Sequence, residues 1–193
     1  MKSKTIYIIS GCNGAGKTTA SYTILPEILN CKEFVNADNI AAGLSPFQPE
    51  KVAFEAGRIM LERIEFLLLS NATFAIETTL SSKSYKTKFE QAIKNGYQVK
   101  LLFFWLPTVE MAIKRVASRV KNGGHNIPQD VIKRRYFRGI ENLFKIYIPL
   151  CTEWMVFDSS KNEIQMIAKG ESLNSLEIFE TKKWDLIKNN FNE

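Results

Sequence analysis

The chain has 193 residues, of which 45% are hydrophobic, 11% aromatic and 24% charged, a globular composition that excludes low-complexity disorder. Its net charge of +6 is uneven, because residues 111–145 carry 9 Lys and Arg against 2 Asp and Glu. That concentration suggests a local anion site rather than a diffuse nucleic-acid coat, with a solvated helical face as the plain alternative.

The elements alternate along the chain. Thr5–Ser10 predicts a buried first strand, Lys17–Asn30 a helix, and Glu33–Asn36 a short second strand leading to Asp38. Pro49 opens a long helix whose apolar residues Val52, Ala56, Ile59, Ile64 and Leu67 follow the helical period. Ala72–Thr78 is a third strand, Lys83–Asn95 a helix, and Tyr97–Leu106 a strongly apolar fourth strand closed by Pro107. Thr108–Asn122 is a helix, residues 121–126 a loop, and Pro128 starts a helix with Ile132, Tyr136, Ile140, Leu143 and Tyr147 on one face. Trp154–Asp158 and Glu163–Lys169 read as two last strands and Glu171–Asn190 as a closing helix. Strands separated by helices imply an α/β fold with a parallel sheet covered on both faces. No linker divides the chain, so residues 1–193 are expected to form a single domain. The cysteines Cys12, Cys31 and Cys151 form no metal or disulfide pattern, and no apolar run suits a signal sequence or membrane span. A cytoplasmic location is the expectation.

Residues 11–18, Gly-Cys-Asn-Gly-Ala-Gly-Lys-Thr, match the phosphate-loop motif GxxxxGK followed by Ser or Thr without a mismatch. An apolar strand precedes it and a helix follows. Glycines let successive N–H groups turn inward around a phosphate, and a helix N-terminus adds partial positive charge. Gly11, Asn13, Gly14, Ala15, Gly16, Lys17, Thr18 and Thr19 are therefore the expected ATP binders, with Lys17 on the β- and γ-phosphates and Thr18 on Mg²⁺. The fold class becomes a P-loop NTPase three-layer sandwich with a mainly parallel central sheet and a helical lid. No NKxD segment marks a GTPase, and a lone Glu77 ends the third strand where a motor ATPase carries Asp-Glu.

Asp38 follows the second strand on the carboxyl edge, where ligands of open α/β sheets bind, and suits the carboxylate that accepts a hydroxyl proton. Capping a helix that begins near Asn39 is its alternative role. Glu77 can hold a Mg²⁺-bound water or a substrate hydroxyl. Arg115 and Arg119 share a helical face, and Arg134, Arg135 and Arg138 follow the Gly123-Gly124 loop. The region around 115–145 is thus an expected lid, with Arg119 and Arg134 or Arg135 reaching the transferred phosphoryl group. His125 either touches phosphate or has a structural role.

The phosphate loop, Asp38, Glu77 with Thr78-Thr79, and the late arginines resemble the zeta toxin family. Asn36-Ala37-Asp38, Gly43-Leu44-Ser45-Pro46, Ala56-Gly57-Arg58, Gly123-Gly124-His125 and Ile127-Pro128 resemble its bacterial kinase-like members. The resemblance implies an ATP-dependent kinase acting on the sugar hydroxyl of UDP-N-acetylglucosamine, with a small antitoxin protein as partner. It makes Asp38 the general base, Lys17 the phosphate clamp, Glu77 and Thr79 substrate contacts, and Arg119 with Arg134 or Arg135 the lid arginines. The lid sequence departs from the toxins' own pattern, so antibiotic, metabolite or polynucleotide 5′-hydroxyl kinases stand as alternatives. A nucleic-acid-binding ATPase is third.

Overall fold

Seven strands form one sheet in the computed structural model, which describes residues 4–161, 163–172 and 175–192. They are β1 (Thr5–Gly11), β2 (Phe34–Asn36), β3 (Phe74–Thr78), β4 (Gln98–Trp105), β5 (Glu153–Asp158), β6 (Gln165–Glu171) and β7 (Ser175–Ile178), in the spatial order β2-β3-β1-β4-β5-β6-β7. The first five pair in parallel, and β6 and β7 extend the sheet antiparallel. This is the expected mainly parallel P-loop sandwich.

Burial explains the strand sequences. Ile6, Ile8 and Ile9 of β1 and Val99 and Leu101 of β4 have no exposed surface, which requires apolar residues on both faces of the sheet. Helices α1 (Lys17–Thr23), α2 (Ala37–Leu44), α3 (Ala53–Leu69), α4 (Lys86–Lys94), α5 (Val109–Lys121), α6 (Gln129–Asn142), α7 (Ile148–Leu150) and α8 (Thr181–Asn192) cover it. The stripe along α6 and the π turn that continues it, Leu143–Tyr147, is as expected: Ile132, Tyr136, Ile140, Leu143 and Tyr147 are all buried. In α3 the core positions are Ala56, Met60, Ile64 and Leu67, so Met60 takes the place expected for Ile59. No helix among the described residues is long and apolar enough to cross a membrane.

Three boundaries differ from expectation for identifiable reasons. The helix expected over Lys17–Asn30 is α1 followed by a wide π turn, Ile24–Ile28, because Pro26 has no N–H for the α ladder. The helix expected near Asn39 begins at Ala37, and its cap is Asn36, whose Oδ1 accepts from the Asp38 and Asn39 amides. The closing helix expected from Glu171 begins only at Thr181, and residues 175–178 form β7 instead. The alternating Ser175-Leu176-Glu177-Ile178 has the strand period, and Gly170 leaves room for the Trp154 ring and the Ser175 carbonyl. Residues 173–174 of that expected helix lie outside the described residues.

The parallel registers collect the polar ends of the strands. Glu77 lies beside both Ile9 and Asn36, Thr78 beside Ser10, and Gly11 beside Phe104. Every chemical residue expected near a strand end therefore shares one carboxyl edge.

Candidate active site

The phosphate loop is held open by backbone geometry. Gly11, Gly14 and Gly16 have φ of 140°, 82° and 78°, and a side chain on Gly11 would run into the Phe104 carbonyl. Lys17, only 7% exposed, donates to the Cys12 carbonyl at 3.0 Å, folding back over the loop. The Cys12 thiol is pushed up to about 11 by burial, which the Lys17 charge only partly offsets, so it stays a neutral packing group. A cavity of about 210 Å³ opens over the loop, lined by Asn13, Gly14, Gly16, Lys17, Thr18 and Thr19 among others. Of the expected nucleotide binders, Gly11 and Ala15 do not line it, and Ala15 is buried.

Glu77 organises the far side of the loop. Thr18 Oγ1 donates to its carboxylate, with 2.9 and 3.0 Å to the two oxygens, and Asn36 Nδ2 donates to Oε2 at 2.9 Å. The Lys17 ammonium stands 3.8 Å away. Burial holds the Glu77 carboxyl above its ordinary value. Lys17 and the Thr18 and Asn36 bonds pull it back, while the Asp38 charge adds to the rise. A threonine hydroxyl backed by a carboxylate, beside a buried lysine, fits the oxygen donors and phosphate company that Mg²⁺ takes. Both roles expected for Glu77, holding a Mg²⁺-bound water or a substrate hydroxyl, are compatible with this position.

Asp38 occupies the junction. Its side chain is 52% exposed. Together with Lys17 and Glu77 it lines both the phosphate cavity and a neighbouring one of about 190 Å³. The second cavity is lined by the hydroxyl-bearing residues Thr78, Thr79, Ser81, Ser82 and Tyr85, and by Arg135. Thr79 Oγ1 and Ser81 Oγ are hydrogen-bonded at 2.8 Å. Sequence reasoning named Thr79 but passed over Ser81, Ser82 and Tyr85, although a hydroxyl-rich run directly after a strand on the ligand edge was a readable signal.

The arginines separate by their partners. Arg115 donates to the Ser159 and Ser160 carbonyls at 2.8 Å and to the Gly14 carbonyl at 3.4 Å, tying the phosphate loop to the end of β5. Arg119 lines the phosphate cavity, donates to the His125 carbonyl at 3.2 Å, and keeps a buried Nε with no partner among the described residues. Arg135 is half-buried and reaches Asn13 Oδ1 at 3.4 Å. Burial lowers its guanidinium pKa, with the Asp38 charge acting against that and Arg134 with it. Arg134 is exposed and lines, together with Arg135, Asp38 and His125, a third cavity of about 350 Å³, but it lines neither of the other two. Gly139 brings α6 in: a Cβ there would stand 2.6 Å from the Thr79 carbonyl oxygen. His125 Nε2 lies 3.9 Å from Asp38 Oδ2.

Comparison with known proteins bears on the family and the fold. The sequence model of the Zeta toxin family matches residues 50–163. A protein of Haemophilus influenzae is 32% identical over 136 residues, covering 70% of this chain and 94% of that protein. Among solved structures, a chain of the AvrRxo1-ORF1:AvrRxo1-ORF2 complex with sulphate ions superposes with a TM-score of 0.75 at 18% identity. That likeness covers 96% of this chain, which spans only 63% of the AvrRxo1 chain. The PezAT chromosomal toxin-antitoxin system of Streptococcus pneumoniae gives 0.66 at 16% identity, covering 100% of this chain and 87% of that one. At these identities the structural likeness is one of fold. The family match spans more than half of the sequence and includes the hydroxyl wall and the arginine-bearing helices, and the chain belongs to the zeta toxin family.

Proposed function

We propose that the protein is an ATP-dependent kinase that transfers the γ-phosphoryl group of Mg-ATP to a hydroxyl of a small molecule. A nucleotide sugar, UDP-N-acetylglucosamine, is the favoured acceptor. The observation that carries this reading is the position of Asp38 on the shared wall of a phosphate cavity and a hydroxyl-lined cavity. A motif-built nucleotide site alone does not need that second compartment.

The chemistry follows from the placements. An acceptor hydroxyl in the second cavity points at the γ-phosphorus, and Asp38 takes its proton as the new O–P bond forms and the bond to the β-phosphate oxygen breaks. Lys17 on the shared wall, Arg119 on the phosphate cavity and Arg135 on the hydroxyl-lined one match the charge that spreads over the oxygens of the transferred group. The Thr18 hydroxyl, with the Glu77 carboxylate behind it, would hold Mg²⁺, which would supply further neutralisation of phosphate charge. The α5–α6 pair acts as the lid of a single kinase domain. The hydroxyl wall supports a polyol acceptor, since each Ser, Thr or Tyr both donates and accepts.

A nucleic-acid groove finds less support, because Arg115, Arg119 and Arg135 are turned into the site rather than displayed on an open face. The toxin-antitoxin system named for the PezAT structure supports a small antitoxin as partner of this chain.

Incubation with Mg-ATP and UDP-N-acetylglucosamine should yield ADP and a product heavier by one phosphoryl group, read by mass spectrometry. ATP binding without that product would sink this acceptor. The two adjacent arginines give a sharper check. Arg135→Ala is expected to lower turnover by about 100-fold or more, whereas Arg134→Ala changes it by less than about threefold. Equal losses would contradict the assignment of the inward arginine.

A further inference from the structure

We infer that the loop between α5 and α6 couples the two halves of the site, with His125 as a positioning residue for Asp38. This rests on the kinase reading above and adds to it a residue that holds the base.

His125 is the chain's only histidine, and it makes two contacts in opposite directions. Its carbonyl accepts from the Arg119 guanidinium at 3.2 Å, on the phosphate side. Its imidazole Nε2 faces Asp38 Oδ2 at 3.9 Å, on the acceptor side. One residue therefore bonds to the arginine of the transferring group and faces the carboxylate that takes the acceptor proton.

The loop is built to hold that residue in place. The amides of Asn122 and Gly124 both donate to the Arg119 carbonyl, at 3.1 and 3.0 Å, turning the chain back over the end of α5. Gly123 takes a φ of 89° at the turn. At Gly124 a Cβ would stand 2.7 Å from Arg119 Cγ and 3.1 Å from the Arg119 carbonyl oxygen, so only glycine lets the arginine lie across the loop. On the other side Ile127 is buried at 7% exposure and Pro128 leads into α6. His125 is pinned between these two anchors, with only 26% of its side chain exposed.

Asp38 needs such a partner. Its amide is bonded to the Asn36 cap, but its carboxylate lies on a half-exposed helix face, and the His125 contact is its one ion-pair-range neighbour among the described residues. A carboxylate free to rotate spends little time aimed at one hydroxyl, and fixing it in advance removes that entropic cost from the reaction. At 3.9 Å the pair is outside hydrogen-bond range, and an approach of about 1 Å completes an N–H···O bond to Oδ2. Catalytic hydrogen bonds commonly tighten in this way when substrate binds. Oδ1 is then left to accept the acceptor's proton. Movement of the loop onto bound nucleotide through Arg119 would bring His125 toward Asp38 in the same motion.

Three substitutions and one resonance test this. With UDP-N-acetylglucosamine as acceptor, His125→Ala should lower kcat by about 10- to 100-fold while the KM for ATP stays within about twofold. His125→Gln, whose amide nitrogen lies near the position of Nε2, should restore kcat to within about threefold, and His125→Asn, one carbon shorter, should not. A kcat unaffected by His125→Ala, or equal losses in all three variants, would overturn the proposal. The second readout is independent of turnover. Because the chain has one histidine, its imidazole Cε1–H gives a single resonance, which should shift in Asp38→Asn, a change of one polar group for another of the same shape. An unmoved resonance overturns the pairing. If the wild type makes no product, the kinase reading fails for that acceptor, and the resonance still decides whether His125 addresses Asp38.

Discussion

Asp38→Asn is expected to reduce phosphoryl transfer by about 10³-fold while leaving ATP affinity within about threefold of wild type. The asymmetry follows from where the carboxylate sits. The helix that carries it is capped by Asn36, so Asp38 is not spent on the backbone. Its side chain is half exposed and accepts no hydrogen bond among those resolved for the described residues, so the substitution removes little stability. The phosphate loop is completed by Lys17 and Thr18, and neither donates a bond to Asp38. What the carboxylate alone supplies is a basic oxygen beside the hydroxyl-lined cavity. Steady-state turnover with titration of a fluorescent ATP analogue checks both halves of the expectation. Loss of nucleotide binding together with turnover would instead move Asp38 to the metal side of the site.

The parts of this site that were legible in the sequence are those whose chemistry is local. The phosphate loop is a stretch of backbone with glycines at fixed offsets, while Asp38 just after β2 and Glu77 near the end of β3 lie on a carboxyl edge set by fold class. The arginines were legible as a group and not as individuals. Arg115 and Arg119 share a helical face, and only the approach of Ser159 and Ser160, more than forty residues downstream, commits the first to backbone carbonyls. Arg134 and Arg135 are neighbours on α6, and the buried face through Ile132, Tyr136 and Ile140 does not by itself rank them. Gly139, four residues after Arg135, was the missed signal. A glycine on the buried side of a helix marks a close approach, here to Thr79, and Arg135, one turn before it, lines the same hydroxyl-bearing cavity as Thr79. The seventh strand escaped for a different reason: β7 is exposed along its length and only four residues long, so its alternation carried little weight beside a helical pattern that followed it.

Lys17→Met and Glu77→Gln are most informative together, because they separate the stability of the site from its activity. The Lys17 and Glu77 side chains are each 8% exposed and 3.8 Å apart, close enough that each charge offsets the cost of burying the other. Lys17→Met alone should abolish detectable ATP binding and turnover, and should destabilise the nucleotide-free protein by about 1–3 kcal/mol. The loss arises because the Glu77 carboxylate is left without its cation. That loss has a pH signature. Burial already raises the Glu77 carboxyl above its value in an unfolded chain, so the native state binds the proton more tightly. Stability therefore falls as pH rises from the ordinary carboxylate range through the raised value, and it levels off above that. Removing Lys17 widens the window, making the single variant weaker at neutral than at mildly acidic pH. Adding Glu77→Gln removes the charge, keeps an oxygen for Thr18, and should return most of the lost stability at neutral pH with a flat profile. The double variant should remain inactive, since the phosphate clamp and the metal-side carboxylate are both gone. Urea unfolding of the four proteins without Mg²⁺ or nucleotide, across that pH range, measures the coupling directly. A double variant no more stable than Lys17→Met would mean that Lys17 stabilises the loop through the Cys12 carbonyl rather than by balancing Glu77.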